Sequence, residues 1–181
     1  MRIGIDARMS GSVHAGIGRY VENLVGELSK NKDLELVLLK PDIPHYSLAE
    51  QFLMPGIIKK AKVDLMHFPH FNVPVFYSGK YLVTIHDLIK HTSRGMATTT
   101  RVPWLYWLKY LGYKFVFRQA VRRAAKILVP SQAVKDELAK TYNLPGDKIV
   151  VTYEGVGEKF QRSAISPSAG GQSAKILAKY K

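Results

Sequence analysis

Arg2-Ile3-Gly4-Ile5-Asp6-Ala7-Arg8, with Gly16-Ile17-Gly18-Arg19-Tyr20-Val21-Glu22-Asn23-Leu24 behind it, decides the fold. Arg2 to Ile5 reads as a short strand that turns polar at Asp6. From Gly18 to Lys30 the pattern is helical, with Val21, Leu24, Val25 and Leu28 on one side at spacings of three and four. A second strand lies within Asp33 to Leu39. Strand, glycine turn, helix, strand is the opening of a parallel α/β sheet, in which the turn lies at the carboxyl end of the first strand and the helix amino end faces the crevice.

The pattern repeats outward. Val63 to Phe68 and Tyr81 to Ile85 read as strands, separated by an irregular loop marked by Pro69, Pro74 and Gly79, and residues 47–60 as a short helix interrupted near Pro55-Gly56. A break from Thr98 to Pro103 precedes a helix over 104–124 despite Gly112. Ile127 to Val129 is a strand, Ser131 an N-cap, Gln132 to Tyr142 a helix, Leu144-Pro145-Gly146-Asp147 a turn and Lys148 to Val151 a strand. The fold class expected is a Rossmann-like, three-layer α/β/α domain with a mainly parallel sheet. Residues 1–162 form that domain, and 163–181, opened by a run with Ser166, Pro167, Ser168, Gly170 and Gly171, read as a linker or tail.

A chain of 181 residues with 46% hydrophobic content supports one core and excludes wholesale disorder. No apolar run reaches the roughly 18 residues that span a bilayer. The chain enters a strand at once and carries an acid at position six, unlike a secretory signal, which points to the cytoplasm. The absence of cysteine excludes disulfide and thiol chemistry. His67-Phe68-Pro69-His70 has superficial metal spacing but no carboxylate or cysteine on its own loop, so no metal is expected.

The formal charge of +13 suits polyanions: anionic lipid, nucleic acid or a phosphorylated sugar donor. Lys109, Lys114, Arg118, Arg122, Arg123 and Lys126 are interspersed with Trp104, Tyr106, Trp107, Tyr110, Tyr113, Phe115 and Phe117, a mixture suited to a membrane interface. Trp104, Trp107, Leu108, Leu111 and Phe115 recur at helical spacing, so part of this segment is expected in the core. No nucleic-acid motif is present, which makes that partner the weakest of the three. A nicotinamide enzyme is disfavoured because the glycine spacing is wrong and the second strand ends in Leu38-Leu39-Lys40-Pro41, without an acid for a ribose.

Two places can carry chemistry. Gly16 and Gly18 permit close backbone approach, and a helix start behind them exposes amides that hold phosphate, with Arg8 and Arg19 able to add charge; an ordinary strand-to-helix turn is the competing reading. His86-Asp87, at the end of Tyr81-Leu82-Val83-Thr84-Ile85, is delivered to the same crevice edge. His86 suits a sugar hydroxyl or phosphate and Asp87 suits a ring or an acceptor hydroxyl, against a reading as a strand cap and a local turn.

Together these segments, with Thr84-Ile85-His86-Asp87-Leu88, Val129-Pro130-Ser131, Val134-Lys135-Asp136-Glu137-Leu138 and Lys148-Ile149-Val150-Val151-Thr152-Tyr153-Glu154-Gly155-Val156, resemble the amino-terminal domain of a family 4 glycosyltransferase, one half of a GT-B architecture. The likeness is to bacterial mannosyl- and other hexosyltransferases that build polysaccharide and glycolipid. The resemblance implies a retaining enzyme that moves a hexose, such as mannose, from a GDP- or UDP-linked nucleotide sugar to a saccharide or lipid-linked acceptor. It implies no cofactor and no bound metal. This domain would supply the acceptor-side wall, Gly16 and Gly18 would lie beside the donor diphosphate and His86 beside the transferred sugar. Asp87 would be secondary, orienting His86 or binding acceptor. The family's donor motif has no match in residues 157–181, so a donor domain or partner chain is expected from elsewhere and the isolated chain is expected to be inactive. The implied place is the cytoplasm, peripheral at the inner face of the plasma membrane; a noncatalytic membrane-surface or split-enzyme partner domain is the alternative.

Overall fold

The structure is a computed structural model that describes residues 1–11, 15–88 and 103–155. In chain order it contains β1 (Arg2–Asp6), α1 (Ala15–Leu28), β2 (Glu35–Leu39), α2 (Leu48–Ala61), β3 (Leu65–Phe68), β4 (Tyr81–Thr84), α3 (Pro103–Arg123), β5 (Lys126–Val129), α4 (Gln132–Tyr142), a 3-10 turn (Gly146–Lys148) and β6 (Ile149–Val151). The strands form one sheet in the order β2-β1-β3-β4-β5-β6, and every pairing is parallel. The expected α/β/α class is what is observed. The expected break at 98–103 falls almost wholly, and the expected linker at 163–181 wholly, outside the described residues.

Alternation along the strands sorts the core onto two faces. Ile3, Ile5 and Ala7 pack on Val21, with Ile17, Tyr20 and Val25 of α1 around them. On the opposite face Met66, Phe68, Tyr81, Val83, Ile127, Val129 and Ile149 meet Met54 and Ile58 of α2, Phe117, Ala120 and Val121 of α3, and Leu138 of α4. Gly4 belongs to that crowded face: a Cβ there would come 2.7 Å from Met66 Sδ and 3.1 Å from Val63.

Two local expectations are corrected. The first helix begins at Ala15, so Gly16 and Gly18 lie inside its first turn rather than in a turn ahead of it. The second helix runs unbroken through Pro55. Proline there removes one backbone donor, but Met54 and Ile58 are fully buried on either side, and that burial outweighs the missing bond. Ser47 caps its start, accepting from the Glu50 amide at 3.1 Å.

In α3, Trp107, Leu111 and Phe115 are 54%, 61% and 53% exposed, whereas the side chains of Trp104 and Leu108, the other two residues of the expected stripe, lie outside those described. The side that faces the sheet is Phe117, Ala120 and Val121, with Phe117 stacked on Tyr142 and the Tyr81 hydroxyl donating to the Ala120 carbonyl. Arg123 donates to the Val75 and Tyr77 carbonyls and so ties the loop after β3 to this helix. The carboxyl-terminal half of α3 is thereby fixed over the sheet, which turns the 107–111–115 stripe outward.

Candidate functional site

In a parallel sheet the carboxyl ends of all strands lie along one edge, and the reversal of strand order between β1 and β3 opens a crevice there. Two clusters of polar groups stand on this edge.

The first surrounds Arg8, two residues past the end of β1. Its guanidinium meets Asp6 through Nε at 2.8 Å and Nη2 at 2.6 Å, and Nη2 also donates to Glu50 of α2. Glu50 accepts further bonds from the Asn72 amide at 2.8 Å and from the Tyr46 backbone amide at 2.8 Å. The Arg8 side chain is 4% exposed and that of Glu50 is 0% exposed. Burial alone would push the Glu50 carboxyl up, but bonds from His45, Asn72 and Arg8 hold it below its ordinary value. Arg8 was expected to add charge to an anion site beside the glycines; instead two carboxylates consume it, and it ties β1 to α2.

The second cluster is built around His86. The amide of Ile85 donates to the Leu128 carbonyl at 2.9 Å, continuing the parallel pattern one residue past β4, and His86 then stands at the edge. Its Nε2 lies 2.9 Å from the Pro69 carbonyl, at the end of β3, and its Nδ1 lies 3.0 Å from Glu154 Oε1, just past β6. Tyr20 of α1 packs edge-on against the ring, with centroids 4.9 Å apart and planes at 86°. The Tyr20 hydroxyl and Thr84 hydroxyl are 3.1 Å apart, and His67 Nε2 reaches the same Thr84 oxygen at 2.9 Å. Burial, and secondly the neighbouring His86, push His67 down to about 4, so this ring is neutral. Burial raises Tyr20; its bond to Thr84 opposes the rise and the charge of Glu154 adds to it.

The expected site residues are distributed as follows. His86 meets α1 through Tyr20, which lies in the second turn of that helix, the turn after the one that holds Gly16 and Gly18. Gly16 is exposed, and a Cβ added there meets nothing within 4 Å. Gly18 is buried against the loop after β1: a Cβ would fall 2.0 Å from the Gly11 carbonyl oxygen, and Gly11 itself has φ +110°. Gly18 is therefore required by close backbone packing, as Gly11 is by its left-handed conformation. Asp87 follows His86 at the edge and is exposed. The carboxylate that meets the His86 ring is Glu154, which sequence reasoning did not single out; its one signal was its position three residues past a predicted strand end.

Among the described residues no group of three or more His, Asp or Glu side chains is arranged to hold a metal. His67 turns to Thr84, whereas His70 packs on Phe71 with ring centroids 4.0 Å apart. No helix among the described residues is long and apolar enough to cross a membrane.

A Rossmann-like α/β/α domain whose polar groups gather at the carboxyl edge of an all-parallel six-stranded sheet has the form of one half of a GT-B protein. Its family follows from the sequence: Glycosyltransferase Family 4 matches residues 33–159, and the chain belongs to that family as an amino-terminal domain. It is similar to the O-antigen chain mannosyltransferase RfbU of Salmonella typhimurium, 26% identical over 164 residues, a match that covers 85% of this chain and 40% of that protein. It is also similar to a glycosyltransferase of Rickettsia africae ESF-5 known from a crystal structure, at 22% identity and a TM-score of 0.43, over 99% of this chain and 48% of that one. The chain thus spans two-fifths of the length of its curated relative.

Proposed function

We propose that residues 1–162 are the acceptor-side domain of a retaining glycosyltransferase, with 163–181 leading toward a donor domain supplied by further chain or by a partner chain. The reaction is transfer of a hexose from a GDP- or UDP-linked nucleotide sugar to a saccharide or lipid-linked acceptor. Mannose is the sugar favoured, since the relative RfbU is named a mannosyltransferase.

The observation that carries this reading is the clamped ring of His86, held at the crevice edge between Pro69, Glu154 and Tyr20. A fixed polar ring that touches α1 one turn from its amino end is suited to the sugar-phosphate junction of a donor, where negative charge grows on the diphosphate as the sugar bond breaks. Gly16, with open space over its Cα, would allow the diphosphate to approach the backbone, and Gly18 would keep that turn in place. Asp87 is assigned to the acceptor.

The test is transfer from a panel of nucleotide sugars to lipid-phosphate and saccharide acceptors, by this chain alone and with a donor domain restored. Turnover is expected only in the longer protein, and His86→Ala should lower it at least a hundredfold. Unchanged turnover in that variant would sink the role given to His86.

The basic aromatic helix supports a second assignment, contact with an anionic membrane surface. Trp107, Leu111 and Phe115 form an exposed stripe one helical turn apart, with Lys114, Arg118 and Arg122 exposed beside it. Arg123 drops out of this set because it is bound to the Val75 and Tyr77 carbonyls. Binding to vesicles containing anionic lipid should weaken with salt and on neutralising Lys114, Arg118 and Arg122; binding that ignores both would exclude this contact.

A further inference from the structure

The ring of His86 is held by acceptors on both sides. The Pro69 carbonyl can only accept, so Nε2 carries a hydrogen. On the other side an ionised carboxylate faces Nδ1 at 3.0 Å, and that contact closes only with a second hydrogen on the ring. Among the described residues, Tyr20 presents its ring to His86 and its hydroxyl to Thr84, and His67 is neutral and turned to the same Thr84, so neither competes for Nδ1. The three clamps come from different parts of the chain, at the ends of β3 and β6 and on α1. The ring is therefore oriented by the tertiary fold and not by its own strand. Its side chain is 19% exposed, so one side remains open to the crevice.

We propose that Glu154 is the positioning residue of this site: it holds a proton on His86 Nδ1 and makes the ring a fixed cation at the crevice edge rather than a proton acceptor. The inference rests on the transferase reading given above. It also redistributes the chemistry within that reading. A ring with both nitrogens spent on protein acceptors has no lone pair for the hydroxyl of the incoming acceptor. As the sugar C1–O bond to the diphosphate breaks, its electron pair stays on the leaving phosphate oxygen. The acceptor oxygen forms the new bond to C1, and its proton passes to that phosphate oxygen. His86 faces the growing negative charge and gives up no proton. Charge-assisted bonds of this kind are the strong ones, and the carboxylate partners of metal-bound histidines, which orient a ring in the same way, are commonly worth about ten- to a hundredfold.

The Glu154→Gln variant tests this, since it keeps the shape and removes the charge. Glu154 is half exposed, so folding is not at stake, and circular dichroism verifies it. Long-range proton–nitrogen NMR on the whole 181-residue chain in mildly acidic buffer reads the ring directly. Two protected ring N–H protons are expected for His86 in the native chain and one, on Nε2, in Glu154→Gln. A single ring proton in the native chain, or two in the variant, would overturn the proposal. With a donor domain restored, Glu154→Gln should lower kcat roughly 10- to 100-fold with KM nearly unchanged; two ring protons with undiminished kcat in the variant would overturn the positioning role. Failure of the broader transferase reading looks different: the NMR result would stand while no sugar is transferred, or while His86→Ala transfers as well as the native protein.

Discussion

Arg8 and His86 stand just past the carboxyl ends of two strands of one sheet, and each meets a carboxylate brought from a distant element. One arrangement is sealed and the other is open. Around Arg8 the two carboxylates, the Asn72 amide and the Tyr46 amide exclude solvent and satisfy one another. Around His86 the carboxylate is 51% exposed and part of the ring looks into the crevice. The two clusters at this edge thus divide by burial: where water is excluded the ion pairs join β1 to α2, and where water remains the pair of His86 and Glu154 stays accessible from the crevice.

The largest effect that tests this division is on stability. Glu50→Ala leaves Arg8 and Asp6 buried without their third partner and is expected to cost about 3–5 kcal/mol in urea unfolding. Glu154→Ala, at a half-exposed pair, should change stability by no more than about 1 kcal/mol. Equal losses at the two positions would break the comparison.

Acid should separate the clusters next. His67 is held neutral, its folded value of about 4 lying below its ordinary 6.5. The unfolded chain therefore takes up that proton first as pH falls. The stability this group contributes is complete above 6.5 and is lost progressively toward about 4, roughly 3 kcal/mol in all. Glu50 is likewise held below its ordinary 4.5, so its contribution is present above 4.5 and disappears as pH falls through its lower folded value. Urea midpoints measured across this range should decline in two stages, and His67→Gln should flatten the first while leaving the second. An unflattened first stage would show that another group carries it.

The smallest effects belong to the glycines. Gly18→Ala forces a Cβ into the Gly11 carbonyl and should cost about 1–3 kcal/mol, because backbone must move. Gly16→Ala meets open space inside a helix and should be neutral or stabilising by up to about 1 kcal/mol. If Gly16 serves the donor diphosphate, the same substitution lowers transfer while raising the unfolding midpoint. A variant improved in both would remove Gly16 from the site.

Much of the architecture was legible because it rests on local periodicity. Strands around Ile3-Gly4-Ile5, Met66-His67-Phe68 and Val83-Thr84 and the helix capped by Ser131 fall where apolar spacing and capping chemistry put them. Pro55 misled because the strongest local breaker yields to buried neighbours on its own helix. In α3 the apolar and aromatic residues occupy every side, so spacing could not tell the packed side, Phe117 and Val121, from the exposed one, Trp107 and Phe115. Arg8 was misread for another reason: nothing in its surroundings along the chain announces Glu50, which lies 42 residues away.

The sequence by itself determined the parallel α/β/α class, the family, and the arrival of His86 at the crevice edge, since these follow from repeated local patterns and from recognisable runs of residues. Only the tertiary structure decided which charges meet. The bond from His86 to Glu154 joins residues 68 apart, and it exists because the strand order β2-β1-β3-β4-β5-β6 brings the ends of β3, β4 and β6 to one edge beside α1. Spacing along a chain fixes the face on which a side chain stands; the partner it finds there depends on how the strands are ordered across the sheet.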